Sequence, residues 1–203
     1  MDKESKNNIT LFLKLILGLS QAVRQRVLIP PSQVRILEPQ PNKKIITVIR
    51  QEKKSDKKKI FLLEEDVLGP GRYARPSFRL RESLEHNIKY SKVYCKAKKI
   101  IGSVRYFNCK IDNNNGLMLG PLIVDQKFKG RGIGKELVNK SISDIDKKKI
   151  DFIILIGEFD YYGQFGFERN HNIYFSLNVR KEKILLKKFS EKDIIISGKI
   201  ELY

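Results

Sequence analysis

The sequence predicts a mixed α/β (α+β) fold, built on one mainly antiparallel sheet with a single parallel crossover inside it. Three observations carry this. The stretches "KVYCKA" (Lys92–Ala97) and "KIIGSVRYFNCKI" (Lys99–Ile111) are rich in β-branched and aromatic residues, and "DNNNG" turns them into "LMLGPLIV" (Leu117–Val124) as an antiparallel run. A helical pattern comes next, in which Ile133, Leu137, Val138, Ile142 and Ile145 share one face. "DFIILIG" (Asp151–Gly157) is then an almost unbroken apolar run, as in a strand buried on both faces. A strand–helix–strand passage of this kind pairs its two strands in parallel.

The other elements can be placed in chain order. Residues 9–29 read as a helix, and Pro30, Pro31, Pro39 and Pro41 mark a linker, so residues 1–42 form an N-terminal extension and residues 43–203 the domain. "QVRIL" (Gln33–Leu37) can be encoded by CAR-GTTCGAATC-YTG, whose middle matches the T-loop of a transfer RNA gene. This raises the expectation that the extension is upstream non-protein sequence read into the frame, with the start near Ile45. The alternative is a genuine helix and tether; no Met lies between Met1 and Met118, so the first reading needs a non-ATG start.

"KIITVIRQ" (Lys44–Gln51) is a first strand. "SDKKKIFLLEEDVLG" is a helix capped by Ser55 or Asp56, with Ile60, Leu62, Leu63 and Val67 as its apolar face. "GPGRYARPSF" (Gly69–Phe78) is a loop, and "RLRESLEHNI" (Arg79–Ile88) a short helix. Proline is expelled from regular central strands, so Gly120–Pro121 predicts a bulge in "LMLGPLIV". Glu136 with Lys140, and Asp144 with Lys148, have the spacing of helical ion pairs. "IYFSLNV", "KILLKKF" and "GKIELY" complete the chain as three strands.

Composition narrows the function. The formal net charge of +18 points either to an anionic partner or to Lys-inflating A/T-rich codons. The lysines are scattered instead of forming one stripe, which favours the second reading and argues against a nucleic-acid partner. The most apolar stretch, Ile9–Leu19, is too short for a membrane span and is interrupted by Lys14. It also lacks the cleavage site of a secretory signal, so no membrane partner and a cytoplasmic location are expected. Cys95, Cys109, His86 and His171 have no metal-ligand spacing, so no metal is expected.

The densest local signal is "KFKGRGIGKELVNK" (Lys127–Lys140). Gly130, Gly132 and Gly134 alternate at the start of a helix, where N–H groups are unpaired and the dipole is positive. With Ile133 and Lys135 they form a candidate phosphate cradle, and Lys127, Lys129 and Arg131 add charge. A Walker A loop is excluded: the spacing between Gly130 and Gly134 is too short, and Glu136 stands where a Mg-ligating hydroxyl belongs. A dinucleotide fingerprint is excluded because Lys135 stands where its third glycine should be.

"LGPLIVDQKFKGRGIGKELV" resembles the acetyl-CoA motif of the GNAT superfamily of N-acyltransferases, [QR]-x-x-G-x-[GA] after a bulged strand. Gly132 and Gly134 match the small positions; Lys129 stands at the usual Gln/Arg. The resemblance extends to "YYGQFGFE", where Tyr162 precedes Gly166–Phe167 at the family's usual catalytic position, and back to "GPGRYARPSFRLRE", a stretch associated with predicted bacterial members. It implies a GNAT-like sheet with a splayed parallel strand pair and flanking helices. It further implies acetyl-CoA as acyl donor, no metal, and an amine acceptor, small-molecule or protein, attacking directly. Lys129, Gly130, Arg131, Gly132, Ile133, Gly134 and Lys135 would bind the pyrophosphate. Backbone N–H groups of Leu122 and Val124 would pair with the pantetheine arm, Leu122 also polarising the thioester oxygen. Tyr162 would protonate the departing thiolate or hydrogen-bond to it, the hydrogen bond with partial transfer being favoured; Tyr161 would be the structural member of the pair.

The bulged strand offers no carboxylate base; Glu82, Glu158 and Asp160 are outside candidates, and His86 and His171 are read as incidental. A basic RNA- or ribosome-binding protein, or a CoA sensor, that keeps this fold without catalysis is the alternative. Acceptor identity and oligomeric state, monomer or homodimer, stay open.

Overall fold

A computed structural model describes residues 46–189 and 195–203. The expected N-terminal helix and proline-rich linker, the whole of residues 1–42, lie outside the described residues, as do the first residues of the "KIITVIRQ" strand.

The main sheet takes β1 (Thr47–Gln51), β2 (Lys92–Lys96), β3 (Lys99–Ile111), β4 (Asn114–Val124), β5 (Phe152–Ile156), β6 (Glu168–Arg169), β8 (Ile184–Lys188) and β10 (Glu201–Leu202). Its order is β1-β2-β3-β4-β5-β8-β6, with β10 pairing on β3. β4 and β5 pair in parallel; the other pairs of this sheet are antiparallel. β7 (Ile173–Tyr174) and β9 (Gly198–Lys199) form a separate parallel pair. The helices are α1 (Lys57–Leu68), α2 (Pro76–Arg79), α3 (Ile133–Ser143) and α4 (Phe159–Tyr162).

The long apolar run of β5 has its reason in the packing. Ile153 and Leu155 join Tyr106, Leu137, Val138 and Phe167 on the α3 face, while Phe152 and Ile154 join Phe107, Met118 and Leu186 on the other. Alternate side chains point to opposite faces, so a strand covered on both sides needs apolar residues throughout. α1 packs Ile60 and Leu63 on Val93, Cys95 and Ile123.

The bulge forms where the proline predicts it. Val104 pairs with Leu122 and Tyr106 with Leu119, so Gly120 and Pro121 together oppose Arg105. Gly120 adopts φ +136°, a conformation open to glycine, and its bond to Pro121 is cis. Parallel pairing with β5 stops at Met118↔Ile154, just before the bulge. Beyond it β4 runs on to Val124 without β5 beside it, which splays the pair.

Several expectations need correction. On α1 the inward face is Ile60, Leu63, Glu64 and Val67, whereas Leu62 is 55 % exposed. The spacing i, i+3, i+4, i+7 decides the face, and Glu64 occupies its i+4 place. Asp56 does not cap α1; its side chain turns back to Arg50 (2.6 Å) and to the N–H of Lys53 (2.9 Å). The helix expected at Arg79–Ile88 lies earlier, as a turn at Pro70–Ala74 and the single-turn α2, and residues 80–83 only turn. So short a helix is marginal alone, and Leu80 and Leu84 pack on the core beside Phe107 instead. Asp144 pairs with Lys140 (2.8 Å) and Lys92 (3.0 Å), not with Lys148, because α3 ends at Ser143. The three C-terminal strands are also shorter than expected: "IYFSLNV" pairs over two residues, and Ile200 interrupts "GKIELY" between β9 and β10.

Candidate functional site

Asp125 closes β4 and organises the glycine-rich loop after it. Its side chain accepts from the N–H of Lys127 at 3.0 Å and from Lys99 Nζ at 2.8 Å. The Lys99 contact holds its carboxyl below the usual range. After the Gln126–Phe128 turn, Gly130 (φ +78°) and Gly132 (φ +79°) are both left-handed, and α3 starts at once. Among the described residues, the backbone N–H groups from Gly130 to Lys135 donate to no protein acceptor; the first returning bond is Glu136 N–H to Gly132 O at 3.0 Å. A Cβ on Gly130 or Gly132 would meet nothing within 4 Å, so this run of donors opens outward. Lys129, Arg131 and Lys135 stand exposed around it. These features fit a polyanionic group.

The loop abuts the free end of β4. A Cβ on Gly134 would lie 2.7 Å from Tyr161 Oη, 3.7 Å from Leu122 Cδ2 and 3.8 Å from Val124 Cγ2. The Asp125 N–H donates to Ile101 O at 2.8 Å, toward β3. Alternation therefore turns the N–H groups of Leu122 and Val124 the other way, into the gap left by β5. That gap is a cleft of about 180 Å³ lined by Leu119, Gly120, Pro121, Leu122, Ile156 and Tyr162, among others.

Tyr162 packs 6.0 Å from Phe167 and 4.9 Å from Tyr161, ring centre to ring centre. Burial raises its phenol above the ordinary value, the Tyr161 phenol adds to that, and Arg81 offsets part. The proton stays on at neutral pH, so Tyr162 is a donor. Tyr161 is the more exposed of the two, at 36 %; its ring packs edge-on against Tyr162 and Phe165, and its hydroxyl faces the glycine loop.

Across the bulge lies a larger cavity, about 490 Å³, lined by Glu52, Glu64, Arg81, His86, Arg105 and Pro121, among others. It shares Arg72, Phe78, Arg81 and Pro121 with the cleft, so the two spaces meet at the bulge. Glu52 is 2 % exposed and is gripped by Arg105, Nη2 to Oε1 at 2.7 Å and Nε to Oε2 at 3.0 Å. His86 Nε2 is 3.0 Å from Glu52 Oε1. Burial pushes the Glu52 carboxyl up, but the close approach of His86 and the bonds from Arg105 outweigh it and leave it below its usual range.

Sequence reasoning missed this cluster, of which His86 is a part. One signal was available: Glu64 falls on the apolar face of α1. Of the outside carboxylates, Glu82 sits exposed on the cavity rim, Asp160 is exposed, and Glu158 pairs with Lys183. His171 is exposed. Among the described residues no helix is long and apolar enough to cross a membrane, and no group of three or more His, Cys, Asp or Glu could hold a metal ion.

Comparison with known proteins agrees with this architecture. The family model described as "Acetyltransferase (GNAT) domain" matches residues 71–180. The structure is similar to YhbS, a GNAT family N-acetyltransferase from Escherichia coli in complex with CoA, at TM-score 0.63 and 19 % identity over 82 % of this chain and 93 % of that one. A GNAT family acetyltransferase from Brucella melitensis in complex with acetyl-CoA aligns at TM-score 0.53 and 19 % identity, covering 75 % and 94 %. Arabidopsis thaliana Naa50, in complex with the bisubstrate analogue CoA-Ac-MVNAL, aligns at TM-score 0.50 and 18 % identity, covering 70 % and 98 %. No curated protein matches.

Proposed function

The chain belongs to the GNAT family of acetyltransferases, and from that premise we propose that it is an acetyl-CoA-dependent N-acetyltransferase in which an acceptor amine attacks directly within a ternary complex. The observation that carries this is the run of unpaired N–H donors from Gly130 to Lys135, opening beside the splayed end of β4. The donor supplies an activated acetyl thioester and an anionic pyrophosphate. In this reading the loop donors bind the pyrophosphate, helped by Lys129, Arg131 and Lys135 and by the positive end of α3. The N–H groups of Leu122 and Val124 hold the pantetheine arm as an added strand would be held, and Leu122 stabilises charge on the thioester oxygen.

The new C–N bond forms as the C–S bond breaks, the amine gives its proton to water, and coenzyme A leaves as a thiolate to which Tyr162, keeping its proton, donates a hydrogen bond. Ordinary values of about 10 for Tyr and about 8.5 for a thiol already make full transfer uphill by about 2 kcal/mol. Burial of Tyr162 widens that gap. We place the catalytic unit within residues 43–203 and leave residues 1–42 outside it. The test is thiol release from acetyl-CoA against a panel of polyamines, amino acids, aminoglycosides and peptide N-termini. Amine-dependent release is expected; tight binding of acetyl-CoA without release under any amine would leave a sensor and remove the enzyme.

A further inference from the structure

The cavity across the bulge holds two charges that no described residue neutralises by contact. Glu64 is 8 % exposed, on the inward face of α1, and lines this cavity. Among the described residues its carboxylate has no hydrogen-bond or ion-pair partner. Arg81 stands at the junction with the donor cleft. Its Nε donates to Ser77 O at 2.5 Å, and its Nη1 lies 2.6 Å from where a Cβ on Gly120 would be. Its guanidinium lies 5.4 Å from the Phe107 ring centre. Burial pulls Arg81 down to about 10, with the Glu64 charge acting in the opposite sense, so the two feel each other. Yet among the described residues Arg81 has no carboxylate oxygen within 4.0 Å.

The neighbouring charges are engaged or exposed. Glu52 is held by Arg105 and His86, and Arg72 by Glu65. Lys54, Lys57, Glu82 and Glu85 lie exposed at the rim. The remaining wall is apolar, from Phe61, Phe78, Leu84, Ile88 and Phe107. Glu64 is the buried member of the two and Arg81 is half-buried, and a charge held out of water without a partner is costly unless a ligand completes it. Opposite charges that line one cavity without touching each other suit a ligand carrying both.

We propose that this cavity binds an acceptor bearing an amine and a nearby carboxylate, an apolar α-amino acid being the simplest case, with Glu64 receiving the ammonium group and Arg81 the carboxylate. Arg81 stands at the bulge, where the proposed transfer occurs, and Glu64 lines the cavity that reaches it, so the inference rests on that reading for its reaction but not for its binding. A planar guanidinium suits a carboxylate better than a lysine would.

The experiment titrates the full chain, with CoA present, with L-phenylalanine and with phenethylamine, which lacks only the carboxylate. L-leucine and isoamylamine form a second pair, and binding is followed by NMR. The amino acid of each pair should bind about tenfold or more tighter, the scale of one charge-assisted hydrogen bond. Arg81→Gln should shrink that ratio toward one, Arg81→Lys should retain part of it, and Glu64→Gln should weaken both members of a pair alike. Should Arg81→Gln not fold, the other two variants decide. Equal affinity of amine and amino acid, no binding of either, or an equal loss of both in an Arg81 variant overturns the proposal. CoA binding is measured separately: its absence beside a kept amino-acid preference would remove the acetyl-transfer reading alone.

Discussion

The two sides of the bulge are built from different materials. On the proposed donor side the candidate groups are backbone N–H groups, from Gly130 to Lys135 and at Leu122 and Val124, and they come from one contiguous stretch. On the proposed acceptor side they are side chains, Glu52, Glu64, Arg81, His86 and Arg105, brought together from α1, β3 and the segments flanking β1 and α2. A backbone site depends on local conformation, and local conformation leaves a mark in the sequence as glycine and proline. A side-chain site depends on which distant segments meet, and its residues look ordinary one by one.

The largest expected effect lies on the acceptor side. Glu52→Gln leaves Arg105 and His86 facing a neutral amide and should cost about 3 kcal/mol at neutral pH, read by denaturant unfolding. Because the folded Glu52 carboxyl is held below its usual range, its contribution is present above the unfolded value of about 4.3 and is lost as pH falls through the lower folded value. Wild-type stability should therefore drop on acidification below about pH 4.3, while the variant's curve stays flatter there. Parallel curves would mean that Glu52 is no electrostatic anchor.

Next comes Tyr162→Phe, which should lower the rate of thiol release about a hundredfold while leaving acetyl-CoA affinity unchanged. Unchanged turnover would remove Tyr162 from the mechanism and reduce it to its packing on Phe167. Gly132→Ala tests the backbone character of the donor side. A Cβ there meets nothing within 4 Å, so any loss comes from the left-handed φ of +79° and not from a clash. The strain is about 1–2 kcal/mol, which should weaken acetyl-CoA about tenfold, as calorimetry would read. Lys129→Gln is the smallest change, since the group is exposed and its charge is screened. It should move acetyl-CoA affinity by no more than about 1 kcal/mol, and a larger loss would make Lys129 a specific ligand in place of the usual Gln/Arg.

Legibility in the sequence divides along the same line. β2 to β5, the crossover helix α3, the bulge and the glycine loop could be read because period, proline and glycine fix them locally. The segment Gly69–Ile88 could not, since Arg81 reaches the bulge and Leu80 and Leu84 reach the core through tertiary contacts that no short window contains. The C-terminal strands are legible but end sooner than the sequence suggests, because pairing partners decide where β7, β9 and β10 stop. Glu64 was the informative miss: the apolar Leu62 was chosen for the face that spacing assigns to Glu64.

The most direct test of the account is calorimetric titration of the full chain with acetyl-CoA at physiological salt. The account predicts saturable one-to-one binding that Gly132→Ala weakens. Absence of binding, together with salt-sensitive binding of RNA by the same preparation, would contradict it and would assign the +18 charge to a nucleic-acid partner.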